Sequence, residues 1–385
     1  MSFSVISCKK NKTPEPDSIL EYNPIVLDCD YFQEDRTLVP NPNSTVDYLI
    51  TCYMSVEGHI RIEPGVIIEF EEKAGIKVDG NSLNTVSFSA VGTEDKQIIF
   101  RGVENQKGYW TGIKFMNAPS DENELSYVVI QDAGYDSPTV AGTGGLACVG
   151  PEETNLKVSY TTLKNNNKYG LNIERASLNL NVFNNNTITE NDAPVRTDAG
   201  NLGFLNTTNT FEGNINDRIE IVDAITSKIQ RDLTWYKADV PYLLNNTLSI
   251  ESDVNMQAGT EIIMGENAKI NVGVPLGGSL AMNGTEDDEI IVRGEESTPG
   301  YWKHIRFENP EANNKMNHVR LINGALLAGR HSLLNINHVV FENCFDFGVS
   351  LEIHTTVEPE FNYSNLSYPG TPREIGDWDN LPVNP

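Results

Sequence analysis

Apolar positions along this chain come in short runs. IRIE (60–63), VIIEF (66–70), IKV (76–78), IIF (98–100), IKF (113–115) and YVVI (127–130) are separated by turn residues at close intervals. Apolar spacing at i, i+3 and i+4 is absent over nearly the whole length, so the pattern predicts all-β structure built from many short strands. One stretch, IEIVDAITSKIQRDL (219–233), has a spacing that a helix could use, and its central position suits a junction.

The pattern repeats at two scales. Gly92 to Phe115 and Gly284 to Phe307 share 14 of 24 residues, 192 positions apart. The similarity extends to VDYLITCYMSVEGHIRIEPGVIIEF from Val46 against VPYLLNNTLSIESDVNMQAGTEIIM from Val240, and to LSYVVIQDAG from Leu125 against MNHVRLINGA from Met316. A finer period runs within the chain. Leu163, Ile188 and Phe211 are 25 and 23 residues apart, and Asn166, Asn191 and Asn214 follow each by three. Ile130 and Phe341 share the phase of the apolar column, and Cys344 takes the Asn place after Phe341. A period of this length with apolar and Asn positions in register predicts a right-handed parallel β-helix, a solenoid made of two internally homologous halves. Coils then stack like residue on like at about 4.8 Å. Asn amides on one rung can bond to those on the next, which makes Asn166, Asn191 and Asn214 a structural ladder.

Charge narrows the partners. The net charge is −26, which disfavours nucleic acid and anionic lipid surfaces and favours cations or basic partners. No apolar run is long enough to span a membrane. Five cysteines occur and none forms a CxxC pair, which argues against a zinc ribbon or a redox motif. Cys8 closes MSFSVISC and precedes the polar run KKNKTPEPDS. The Val-Ile-Ser-Cys end resembles a bacterial lipobox, although only seven residues precede Cys8 and no basic segment does. Lipid on Cys8 implies a body outside the cytoplasm, where disulfides persist, and makes Cys29 and Cys52 a candidate pair. Membrane association would come through that lipid alone.

IEPGVIIEFEEKAGIKV, GTEDKQIIF, GYWTGIKF, LSYVVIQDAG and the linker-like TWYKADVPYLL (234–244) together resemble the right-handed β-helix lipoproteins of Bacteroidota-type cell envelopes, with a pectin lyase-like fold. The resemblance covers about Val46 to Leu351. It departs at Lys303-His304, where the first copy has Thr111-Gly112, and at Ala258-Gly259 in place of Pro64-Gly65. It implies an outer-membrane lipoprotein, periplasmic or surface-exposed, and assigns no activity. The expected organisation is a tether and truncated signal over 1–20, an N-terminal capping segment over 21–45, helix halves over 46–233 and 234–360, and a C-terminal cap or tail over 361–385.

Four features are candidates for chemistry. The pairs Tyr109-Trp110 and Tyr301-Trp302 could stack on sugar rings as a bivalent platform, though occurrence in both copies favours packing at a coil corner. Acidic clusters at Asp95, at 286–289 and at 121–124 could hold Ca²⁺, but no EF-hand or GGxGxD pattern accompanies them, so no metal or cofactor is expected. The six histidines form no ligand motif, and His318 and His338 lie where they could stack across rungs. Arg101 and Arg293 repeat in both copies, as structural salt bridges would. No carboxylate pair at rung spacing suggests a glycosidase, and no catalytic residue is assigned. YDSPTVAGTGGLACVG (135–150) is a Gly-rich excursion in the first half only, where unique function could sit. The expected function is therefore a non-catalytic envelope module that binds a glycan or an envelope protein. A polysaccharide lyase or glycoside hydrolase on the same fold, and an adhesin presenting the excursion, are the alternatives.

Overall fold

The structure is a computed structural model that describes residues 20–377, apart from 81–85, 137–141, 175–176, 223–226, 275, 311–312 and 354–358. Cys8, His354 and 378–385 lie outside the described residues. The chain is all-β, and every pairing between its named strands is parallel. It winds as a three-faced β-helix. In the first half one turn runs through Arg36–Leu38 on face one, Tyr48–Ile50 on face two and Tyr53–Val56 on face three, then returns to face one at His59–Ile62.

Stacking sets like over like. Ile68, Phe100, Ile130, Leu163 and Ile188 occupy one register on face two, and all are essentially inaccessible to solvent. Phe211 continues the column after the Thr187–Thr210 bridge. Each such side chain contributes about 1.5–3 kcal/mol by leaving water, but only when a rung lies on either side. Corners require a second device. The Asn166 side chain donates to the Asn191 oxygen at 3.0 Å, and the Asn191 side chain donates to Asn214 at 3.0 Å. Each oxygen also accepts a backbone N–H of the rung before it: Ala133 to Asn166, Asn166 to Asn191, and Asn191 to Asn214. Asp217 ends the ladder by accepting the Asn214 amide at 2.7 Å. A second ladder, Thr161 to Asn186 to Asn209, runs along the neighbouring corner. At the Cys344 position the Thr371 hydroxyl takes the place of an Asn oxygen and accepts the Cys344 N–H.

On three rungs of the first half the corner before face two turns on a left-handed residue, Tyr127, Tyr160 and Asn185 (φ 51°, 50° and 55°), and the equivalent corner of the second half turns on His318, His338 and Asn365 (φ 48°, 51° and 53°). That conformation costs a side chain other than Gly about 1–2 kcal/mol. Neighbouring rings stack in compensation, Tyr127 on Tyr160 at 4.6 Å and His318 on His338 at 4.5 Å.

Several boundaries differ from the sequence expectation. Residues 25–38 form a complete first turn, with Ile25–Leu27 on face two, a 3-10 turn at Tyr31–Gln33 that buries Phe32 against face three, and Arg36–Leu38 on face one. A disulfide joins Cys29 in this turn to Cys52 in the next. Glu360–Ser367 and Arg373–Asp377 make a final turn in the same way. The stretch from Ile219 has no helix among its described residues; it carries the strands Ile219–Ile221 and Ser227–Ile229.

The junction holds the main surprise. Tyr242–Leu244 matches Tyr48–Ile50 in sequence, yet Tyr48–Ile50 lies on face two. Tyr242–Leu244 instead joins, through Ile219–Ile221, the sheet of Ala193–Thr197 on face three. The second copy is therefore turned by one face of the three about the solenoid axis. A 3-10 helix, Ala199–Phe204, lies between face one and the strands that begin the second copy, and fills the gap with buried Ala199 and Leu202.

Two outcomes follow. Asn191→Ala leaves a buried Asn166 N–H without an acceptor and should lower the unfolding free energy by about 1–3 kcal/mol, read from the urea midpoint; an equal loss in the exposed-loop variant Asn105→Ala would contradict the ladder's role. Alkylation of denatured, unreduced protein should label Cys148 and Cys344 but neither Cys29 nor Cys52, by peptide mass mapping.

Candidate functional site

Both Gly-Tyr-Trp corners are built alike. Trp110 and Trp302 are fully buried, and each indole N–H donates to a backbone carbonyl of the next rung, Gln131 at 2.8 Å and Ile322 at 2.7 Å. Trp110 also stacks on Phe70 at 3.9 Å. Neither indole can offer a face to a sugar as a stacking platform. Tyr109 and Tyr301 are partly exposed and lie against Gly102 and Gly294, where a Cβ would come within 2.9 and 3.1 Å of the ring. Burial and then nearby carboxylates, Glu104 for Tyr109 and Glu296 for Tyr301, raise both phenols. The one-face turn at the junction aims the two corners at different sides, so they do not form one bivalent platform.

The two corners diverge at the Lys303-His304 departure. Gly112 has φ 99°, and a Cβ there would lie 2.4 Å from the Gly144 carbonyl of the excursion. The second copy lacks the excursion, so His304 fits at the equivalent place. Burial first, then Arg306, Lys269 and Lys303, push its imidazole down to about 4. The excursion itself ends sooner than the sequence suggested. Leu146–Val149 is a face-three strand with Cys148 fully buried, because its apolar residues complete a rung.

A second feature lies on face one of the first half, and sequence reading did not single it out. Thr37, Arg61, Ser89, Glu124 and Lys157 stand in register on five successive rungs and point outward. Ser87 and Ser89, both short, sit in the middle. Longer side chains flank them, His59 and Arg61 on one side, Glu122 and Glu124 on the other. The result is a polar trough of about 630 Å³. Only the alternation of outward polar residues could have signalled it, and that alternation is ordinary for an exposed strand.

The trough contains a Ser, a His and a carboxylate in contact. His59 Nδ1 meets the Ser87 hydroxyl at 2.8 Å, and Ser87 donates to Glu122 at 3.1 Å. This is not a nucleophilic relay. A relay needs the serine and the acid on opposite ring nitrogens, whereas here Glu122 approaches the same Nδ1, at 3.6 Å. Ser87 is also only 3% exposed, out of reach of a substrate carbonyl.

The remaining candidates have structural partners. Arg101 pairs with Glu69 at 2.8 Å and Arg293 with Glu261 at 2.6 Å. Asp288 pairs with Lys237, and Glu289 with Arg320. Within 121–124, Asn123 turns inward, accepts the Phe88 N–H and donates to Ala118 and Asn155 carbonyls. Among the described residues no group of three or more His, Cys, Asp or Glu side chains could hold a metal ion.

The fold defines a class, a parallel β-helix with a polar trough on its first copy and an open corner on its second. No protein-family model, no curated protein and no solved structure matches this chain. The family resemblance rests on the repeat motifs alone.

His304 gives a pH signature. Its folded value lies below the ordinary value of 6.5, so the unfolded chain takes up the proton first. Its contribution is complete above that ordinary value and is lost as pH falls from 6.5 towards about 4. His304→Gln should shrink the drop in Tm between neutral pH and pH near 5, measured by scanning calorimetry; an unchanged drop would place the effect elsewhere.

Proposed function

We propose that this protein is a non-catalytic cell-envelope lipoprotein, held to the outer membrane by lipid on Cys8, that binds a glycan in the face-one trough. The trough carries the reading. Ser89 forms its floor between Arg61 on one rung and Glu124 on the next, and the joined His59, Ser87 and Glu122 close one side. A hydroxyl is both donor and acceptor, so a sugar can satisfy a cationic wall and an anionic wall at once. Neither a nucleic acid nor an anionic lipid surface suits such mixed charge on a chain of net charge −26. The Cys29–Cys52 disulfide supports an oxidising compartment.

The same walls favour one second reading, a polysaccharide-cleaving enzyme, because carboxylates and bases from adjacent rungs converge there. One experiment separates the two. Purified protein is incubated with neutral and acidic polysaccharides, with and without Ca²⁺, and both the bound fraction and new chain ends are followed. The expected result is binding without new ends, abolished by Ser89→Trp, which fills the trough. New chain ends would replace the binding role with catalysis. Absence of binding across the panel, or binding untouched by Ser89→Trp, would overturn the glycan assignment to this site.

A further inference from the structure

Exposed apolar side chains gather at one end of the solenoid. Of the thirteen large hydrophobic residues that are exposed among those described, five fall within 20–39: Leu20, Tyr22, Ile25, Val26 and Val39. The other eight are spread from Val91 to Tyr363, so this end is set apart. Stacking explains part of it. Ile25 stands in the register of Tyr48 and Ile68, an inward position. No turn covers it among the described residues, and a side chain that would be buried on any later rung is 49% exposed. Val26 is in register with Leu49 and Glu69 on the outer side of face two and is 60% exposed.

The other three adjoin these two. Glu21 bridges Ser44, which runs Leu20 and Tyr22 beside the stretch that leads into Tyr48–Ile50. The Tyr22 hydroxyl donates to Glu69 at 3.0 Å and holds that residue on the same outer side. The Tyr48 hydroxyl donates to the Val39 carbonyl at 2.9 Å, so Val39 flanks the residue that Ile25 pairs with. Asp28, Asp30, Glu34 and Asp35 sit on the stretches that lead to faces three and one, beyond the patch. Glu69 is paired with Arg101 at 2.8 Å, and Glu21 is left at the rim.

A contiguous apolar patch marks a contact surface, and the chain on its N-terminal side says with what. The patch begins at Leu20, and Cys8 stands 12 positions before it. Twelve residues reach at most about 40 Å, so lipid on Cys8 keeps this end beside a bilayer. The intervening KKNKTPEPDSI (9–19) supplies no apolar run to cover the patch. Lys9, Lys10 and Lys12 follow Cys8 directly, a local positive charge on a chain of net charge −26, and lysines so placed are drawn to phosphate headgroups.

We propose that the N-terminal end of the solenoid seats on the phospholipid bilayer that holds the Cys8 lipid, with Leu20, Ile25, Val26 and Val39 entering the interface and Tyr22 at its edge. The contact tips the molecule onto the face-two side of its first turn. The inference rests on the lipoprotein part of the proposed function and not on the trough.

Protein extracted from membranes with its anchor is reconstituted into phosphatidylcholine vesicles whose acyl chains carry bromine, which quenches tryptophan on contact. A Val26→Trp reporter should be quenched after subtraction of the unaltered protein's signal. An Ile215→Trp reporter, at a side chain 72% exposed near the junction, should not be. In the non-lipidated Cys8→Ser protein, Val26→Asp should lower vesicle partitioning about tenfold, the effect of returning one valine-sized side chain to water. The replaced side chains at 26 and 215 are exposed, and an unchanged Tm checks the fold. Cys8 found without lipid by mass spectrometry would overturn the lipoprotein reading and this inference together. Lipid on Cys8 with position 26 unquenched, or with positions 26 and 215 quenched alike, would overturn this inference alone. So would a dimer in sedimentation that Val26→Asp dissolves, which would assign the patch to a second copy of the chain.

Discussion

A turn of this solenoid makes none of its sheet hydrogen bonds within itself. Every strand is parallel to its partners and bonds only to the turns before and after it, so no turn is stable alone. Side chains must therefore do two things at each corner: keep an apolar column continuous, and accept the N–H groups that leave the sheets. Asn does the second because its oxygen can take a backbone N–H and a neighbouring amide together while its nitrogen donates onward. The Asn166, Asn191 and Asn214 ladder and its Asn186 and Asn209 counterpart are the residues on which the rung spacing depends. Where an Asn is missing, as at Cys344, another side-chain oxygen takes its place.

Continuity of the stack also decides how the two copies meet. Among the described residues, one of the three faces passes through the junction as an unbroken sheet, and it joins face three of the first copy to the strand equivalent to face two in the second. The turn by one face follows from that pairing. It sends the two Trp corners to different sides and leaves each free to diverge. Among the described residues, Tyr135 and Gly144 of the excursion lie over the first, which requires glycine at 112; the second has His304 in that place and a cleft beside Phe345. Duplicated architecture thus accounts for the buried indoles, and the copies differ in what lies over each corner.

How much was legible in the sequence follows from the same physics. Column residues such as Leu163 and Ile188, and the first Asn ladder, repeat at the turn length, so periodicity alone located them. The second ladder was present in the same segments, in the Asn that opens NTITEN and NTFEGN, but register between corners is a property of three dimensions. The Trp residues were visible, yet their burial depends on Phe70 and on carbonyls one rung away. The trough depends on two serines being shorter than their neighbours on adjacent rungs, residues that lie 28 to 35 positions apart in the chain. Phe345 could have been found by aligning the third rung of each copy, since only there does an aromatic replace Asn167. The turn at the junction had no local signature, because 219–233 reads as either helix or strand.

The central claim is that the two copies form one uninterrupted stack through Ile219–Ile221. Hydrogen exchange tests it directly at the amides of Ile219 and Val222, which donate to Pro241 and Thr197 at 2.9 and 2.8 Å. The account predicts protection there as strong as in the flanking strands Ala193–Thr197 and Tyr242–Leu244, since the sheet bonds are continuous. Exchange at loop rates, with both flanking strands still protected, would mean two separate solenoids joined by a linker and would contradict it.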